Sequence, residues 1–139
     1  MWIDNQFPNI KTTIYKITSS ASKEYNCIAW AADDITRWWS NVPGYYWPTT
    51  NRSSLVEGLV DVFAAMGYEI CDNTSSEEGF DKVALYEKAG LWKHACRQLV
   101  NGDWTSKLGS DEDIEHESPG VLVGDLYGTV HCIMRKKRI

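Results

Sequence analysis

The sequence contains no apolar run near the ~18 residues that a membrane span needs, and no membrane partner is expected. Its first residues, Met1-Trp2-Ile3-Asp4-Asn5, lack the basic-then-apolar order of a secretory signal. A cytoplasmic location is the expectation, with export by a route that reads no such signal left open. Cysteine is sparse. Cys27, Cys71, Cys96 and Cys132 are scattered with no CxxC, which excludes a dense disulfide framework and suits a reducing compartment. Histidine occurs three times, at His94, His116 and His131. No combination of these with Cys27 has metal-ligand spacing, so no metal is expected. The glycines from Gly120 to Gly128 form neither a phosphate loop nor a dinucleotide fingerprint, so no cofactor is expected. Positive charge is also in deficit. The net charge is -5, which disfavours nucleic acid as a partner, and the basic run Arg135-Lys136-Lys137-Arg138 reads as a solvated segment. Repeats, low-complexity tracts and linkers are missing too. The 139 residues therefore read as one domain, with 1–22 as an N-terminal extension and 23–135 as the core.

Aromatic residues are plentiful. There are seven Trp and seven Tyr, and several crowd between Trp38 and Trp47 in a loop punctuated by Pro43, Gly44 and Pro48. A short strand is predicted over 12–18. Asn26 is a good N-cap for a helix over 27–38, because its side chain can accept from a free N–H of the first turn. Ile28, Ala31, Ala32, Ile35 and Trp39 would form its buried stripe. Ser54-Leu55-Val56-Glu57 has capping-box spacing and opens a second helix. Leu55, Leu59, Val62, Phe63 and Met66 share one face of it, and Gly67 closes it. A short strand is predicted over 68–71. Further strands are predicted over 82–86, 94–99, 104–108 and 126–135, with Ala89-Gly90 and Asn101-Gly102 as turns. The segment 110–118 reads as an acidic loop or a short helical piece. Helices followed by an antiparallel meander give an α+β fold, with N-terminal helices packed on an antiparallel sheet.

Cys27 sits where the first helix begins. A helix N-terminus lowers a thiol's pKa, and a nearby imidazolium lowers it further, so this position suits a nucleophile. A cysteine among Ile, Ala and Trp on an amphipathic helix is equally at home as a buried core residue. His94 opens a strand whose partner carries hydroxyls, which pairs a base with an orienting group. The turn decides which hydroxyl. A two-residue turn at Asn101-Gly102 places Arg97 opposite Ser106, and Thr105 or Asp103 then takes the third position. A three-residue turn at Val100-Asn101-Gly102 places Cys96 opposite Ser106 and sets His94 diagonal to Ser106 on the same face. The longer turn is favoured, because it groups Trp104 with Leu108. The N–H of Cys27 is one oxyanion donor, and Tyr25 and Asn26 are candidates beside it. His116, between Glu115 and Glu117, reads as a surface residue. His131 is the alternative base.

The order of these parts resembles the NlpC/P60 branch of the papain-like cysteine peptidases. The resemblance rests on Asn26-Cys27-Ile28-Ala29-Trp30 at a helix start and on the strand Lys82-Val83-Ala84-Leu85-Tyr86. It continues through His94 opening an Asn-Gly hairpin and ends on Leu126-Tyr127-Gly128-Thr129-Val130. It spans about 23–135. It implies Cys27 as nucleophile, His94 as general base and Ser106 as the third polar residue, where the family usually has His, Asn or Gln. The implied activity is hydrolysis of an amide bond. The implied substrate is a small peptide or amide, with peptidoglycan peptides as one such class. The chain is also similar to small bacterial proteins that share the words Asn-Cys-Ile-Ala-Trp-Ala and Trp-Thr-Ser-Lys-Leu-Gly. A catalytically inactive papain-like binding or structural module is the alternative.

Overall fold

A computed structural model describes residues 2–12 and 15–138. The alternating pattern of the second half becomes the centre of the molecule. Its elements are α1 (Trp2–Gln6), a 3-10 turn (Pro8–Thr12), β1 (Lys16–Ser19), α2 (Cys27–Ala31) and α3 (Val56–Ala65). They are followed by β2 (Glu69–Cys71), β3 (Phe80–Lys88), β4 (Leu91–Gln98), β5 (Trp104–Lys107) and β6 (Asp113–His116). A second 3-10 turn (Pro119–Leu122) and β7 (Thr129–Lys137) complete the chain. The seven strands form one antiparallel sheet in the order β1-β6-β5-β4-β3-β7-β2, so the protein is α+β. Among the described residues, no helix is long and apolar enough to cross a membrane.

Both faces of the sheet are covered, which explains why β3 is buried along five consecutive positions. On one face α2 and α3 bring Cys27, Ile28, Leu59, Val62 and Phe63 against Val83, Leu85, Ala95 and Met134. On the other, Ile3, Phe7 and Ile10 pack on Ala84, Tyr86, Cys96, Trp104 and Ile114, with Leu122 and Tyr127 beside them. The segment 1–22, expected as an extension, is therefore part of the core. It supplies three fully covered side chains and the edge strand β1. The strand expected over 12–18 is Lys16–Ser19, while positions 13 and 14 lie outside the described residues.

The helix expected over 27–38 ends after five residues. Asp33 adopts a left-handed φ of 64°, the Asp34 N–H donates to the Ala29 carbonyl at 2.8 Å, and the Asp33 N–H donates to Trp30 at 3.0 Å. This is a Schellman ending built on aspartate rather than glycine. Ile35 is consequently exposed instead of joining a buried stripe. Asp34 then binds the next loop, accepting from the Thr36 and Trp39 N–H groups and from Arg37. α3 begins at Val56 with Leu55 as its N-cap and no side-chain capping bond, so the capping box read from Ser54 and Glu57 is not formed. The acidic segment 110–118 contains β6, an interior strand paired with both β5 and β1. β7 starts at Thr129, three residues later than expected, because Gly124 and Gly128 exchange backbone hydrogen bonds and close a loop ahead of it.

The turn between β4 and β5 is the longer of the two considered. Arg97 pairs with Thr105 and Gln98 with Trp104, the Leu99 N–H donates to Asp103 at 2.7 Å, and Gly102 has a φ of 93°. Such a conformation favours glycine because it has no Cβ to collide. One residue of turn length thus puts His94 and Ser106 on the same face.

Candidate active site

The register brings three polar side chains into one buried line across neighbouring strands. His94 on β4 has Nε2 3.0 Å from Ser106 Oγ on β5. Ser106 Oγ is 2.8 Å from Nε2 of His116 on β6, and His116 Nδ1 lies 2.9 Å from the Ser118 carbonyl. The sequence expectation for His94 and Ser106 agrees with this placement. His116 is a correction: it is 1% exposed rather than a surface residue. The signal was available in the pattern Ile114-Glu115-His116, where a period of two sends the histidine to the same face as a buried isoleucine. Its two acidic neighbours masked that reading.

Aromatic rings hold the His94 ring. Tyr127 stacks on it with centroids 4.1 Å apart and planes 3° apart, and Tyr86 leans on it at 5.1 Å. Tyr127 reaches this position because Gly128, at φ 75°, lets the chain turn tightly against β3. A Cβ at position 128 would lie 2.0 Å from the Glu87 carbonyl oxygen. His94 is completely covered, and its Nδ1 has no hydrogen-bond partner.

Cys27 is the first residue of α2 and is 8% exposed. It packs in the cluster that holds Ala95, whereas His94 packs with Tyr86 and Tyr127 on the other side of β4; no hydrogen bond joins the thiol to the imidazole. Burial pushes the thiol up to about 11, against the pull of the nearby Ala95, Ile28 and Cys27 backbone groups and of Lys107. Burial drives the Tyr127 hydroxyl well above its usual value. Burial lowers His94 well below the ordinary imidazole value, and the nearby His116 adds to this. Burial likewise takes His116 down to about 4. At neutral pH both imidazoles are uncharged and the thiol keeps its proton.

Tyr25 and Asn26 are engaged elsewhere rather than free as oxyanion donors. The Tyr25 hydroxyl donates to Asp113 Oδ2 at 2.7 Å. Asn26 Oδ1 accepts from the N–H groups of Ala29 and Trp39, each at 3.2 Å, and its Nδ2 donates to the Trp39 carbonyl at 2.6 Å. Asn26 is thus both the expected N-cap and a staple to the aromatic loop. Thr105 accepts from Trp30 Nε1 and donates to the Ile114 carbonyl, which leaves it no part in the histidine line. Asp103 sits at the turn. His131 is exposed at a bulge in β7 and does not serve as the alternative base. Lys107, which sequence reasoning passed over, is fully covered. Its ammonium donates to the carbonyls of Ser22, Gly109 and Asp111 and so ties the approach to Cys27 onto the sheet. A surface hollow of about 290 Å³ lies among the same segments, lined by Lys23, Trp38, Tyr45 and Ser110. Among the described residues, no group of three or more His, Cys, Asp or Glu side chains is placed to hold a metal ion.

Together these features define an α+β protein with a buried His–Ser–His line on an antiparallel sheet and a cysteine at the start of the helix across it. The chain belongs to the DUF7689 family, a domain of unknown function, which it matches over residues 16–135. No curated protein and no solved structure matches it.

Proposed function

We propose that the protein is a cysteine hydrolase of the papain-like, NlpC/P60 type that cleaves an amide bond in a small peptide or amide, with peptidoglycan peptides as one such class. One observation carries the reading: His94 is anchored through Nε2, while its Nδ1 is buried without a partner. A buried polar atom left unpaired costs about 1–3 kcal/mol and calls for a reason. A base held ready for a thiol is such a reason. The order of a helix-start cysteine, a histidine opening a hairpin and a polar residue on the return strand is similar to the NlpC/P60 arrangement.

In this scheme α2 shifts on substrate binding so that the Cys27 thiol, which has no hydrogen bond to His94 at rest, reaches His94 Nδ1 and passes its proton there as sulfur attacks the carbonyl carbon. The C–N bond breaks, and His94 returns the proton to the departing amine. Water, deprotonated by His94, then attacks the thioester, releases the acid and restores the thiol. The Cys27 N–H is the available oxyanion donor, and the hollow beside Trp38 and Tyr45 is the proposed seat of the substrate chain.

A second reading, an inactive papain-like binding or structural module, is favoured by the burial of both groups and by the thiol raised to about 11. Iodoacetamide labelling at neutral pH, read by peptide mass spectrometry, separates the two. The hydrolase reading expects Cys27 to label faster than Cys96, which is fully buried and whose thiol burial raises to about 12. It also expects His94→Ala to remove that advantage. Equal labelling, or indifference to His94, leaves only the inactive module.

A further inference from the structure

The hydrogen bonds across β4, β5 and β6 have a direction, set at the far end. The Ser118 carbonyl can only accept, so His116 must carry its proton on Nδ1, 2.9 Å away. A neutral imidazole protonated there presents a bare Nε2. Ser106 therefore donates its single proton to His116 Nε2 at 2.8 Å. The Ser106 oxygen is then an acceptor, and His94 Nε2, 3.0 Å away, must be the donor. Cys96 also lies within hydrogen-bond reach of Ser106, but a neutral thiol is a weak acceptor beside a bare imidazole nitrogen, so the serine proton goes to His116. The Cys96 thiol beside it has Tyr86 Oη at 3.6 Å, and the Tyr86 hydroxyl gives its own proton to the Pro119 carbonyl at 2.6 Å. The lowered pKa of His116 keeps it neutral at pH 7, which the scheme needs.

We infer that His116 is a positioning residue that acts through Ser106 to hold the proton of His94 on Nε2, leaving His94 Nδ1 as a bare base. The catalytic use of that base rests on the hydrolase reading, whereas the tautomer does not.

Long-range proton–nitrogen NMR of the intact, 15N-labelled chain at pH 7 reads each histidine's protonated nitrogen directly. The expected result is Nε2–H for His94 and Nδ1–H for His116. His116→Leu removes the acceptor and should move His94 to a tautomer mixture. His116→Gln should hold the Nε2–H form, since its amide both accepts from Ser106 and donates to Ser118. Under the hydrolase reading, His116→Leu should also slow Cys27 alkylation about tenfold, less than the roughly 100-fold low end for losing a positioned base outright, because a tautomer mixture keeps part of the bare Nδ1. Nδ1–H on His94 in the native protein, or an unchanged tautomer in His116→Leu, overturns the inference. Should His116→Leu fail to fold, Ser106→Ala cuts the same line one oxygen earlier, and an unchanged tautomer there is equally fatal. The expected tautomer with Cys27 labelling indifferent to His94 upholds the relay and sinks the hydrolase.

Discussion

Stability should fall between neutral and mildly acidic pH, with His116 responsible for much of the loss. Burial holds the folded His116 at about 4, against 6.5 for an ordinary imidazole. A base whose pKa is depressed by folding takes up its proton first in the unfolded chain. Its stabilising contribution is complete above 6.5 and drains away as pH falls toward 4. With those two values, His116 alone should cost about 2.5 kcal/mol between about pH 8 and pH 4.5. His94 is shifted in the same direction and adds to the loss. Asp34 and Glu77, held low by their hydrogen-bond donors, begin to weaken only below their ordinary values of 3.8 and 4.5, so ending the titration at about pH 4.5 leaves them nearly silent. Urea denaturation at a series of pH values measures the slope, and His116→Gln, which keeps the bonds but cannot titrate, should remove about half of it and leave the share of His94. A native protein losing less than about 1 kcal/mol over this range, or a glutamine variant with the native slope, refutes the assignment of a buried neutral His116.

Two packing predictions concern the supports of the site. Gly128→Ala forces a Cβ to within 2.0 Å of the Glu87 carbonyl at a left-handed φ of 75°, and should cost at least about 2 kcal/mol in a thermal melt; an unchanged melting temperature would show that the loop carrying Tyr127 is not held by this contact. Lys107→Met leaves the carbonyls of Ser22, Gly109 and Asp111 without their donor. It should cost about 3 kcal/mol in urea denaturation, and a loss below about 1 kcal/mol would mean that water serves those carbonyls as well.

How far the sequence could be read follows from which forces are local. Period-two alternation and the Asn-Gly turn made β3, β4 and β5 visible, but Trp104 and Leu108 share a face under either turn, so the register rests on the turn length alone. The N-cap at Asn26 was visible because capping is decided within a few residues. The end of α2 was not. Ile28, Ala31, Ala32, Ile35 and Trp39 keep helical spacing, yet the chain stops because the Asp33-Asp34 pair satisfies the last carbonyls and then gathers Thr36, Arg37 and Trp39. That outcome depends on loop partners that a periodicity count does not see. β6 was missed for a related reason. Asp113, Glu115 and His116 have low strand preference, and only pairing on both sides makes the segment a strand. With β6 unread, the environment of His116 was unreadable too.

The same burial that hides the site also constrains how it can work. A preformed thiolate–imidazolium pair requires a thiol pKa below that of its histidine, and the protein has the opposite order: Cys27 is pushed up to about 11 and His94 is pushed down. Under the hydrolase reading the proton must therefore move as sulfur attacks, which is general-base rather than ion-pair chemistry. Two features make that route workable. A thiol of high pKa is intrinsically the stronger nucleophile once its proton leaves, because nucleophilicity rises with basicity. A base with one nitrogen tied to Ser106 and the other unpaired loses little orientational freedom when it accepts that proton. The resulting imidazolium would rest between the Tyr127 and Tyr86 rings, whose faces stabilise a cation. The enclosure that argues for an inert thiol at rest is thus compatible with a reactive one at the moment a carbonyl reaches it.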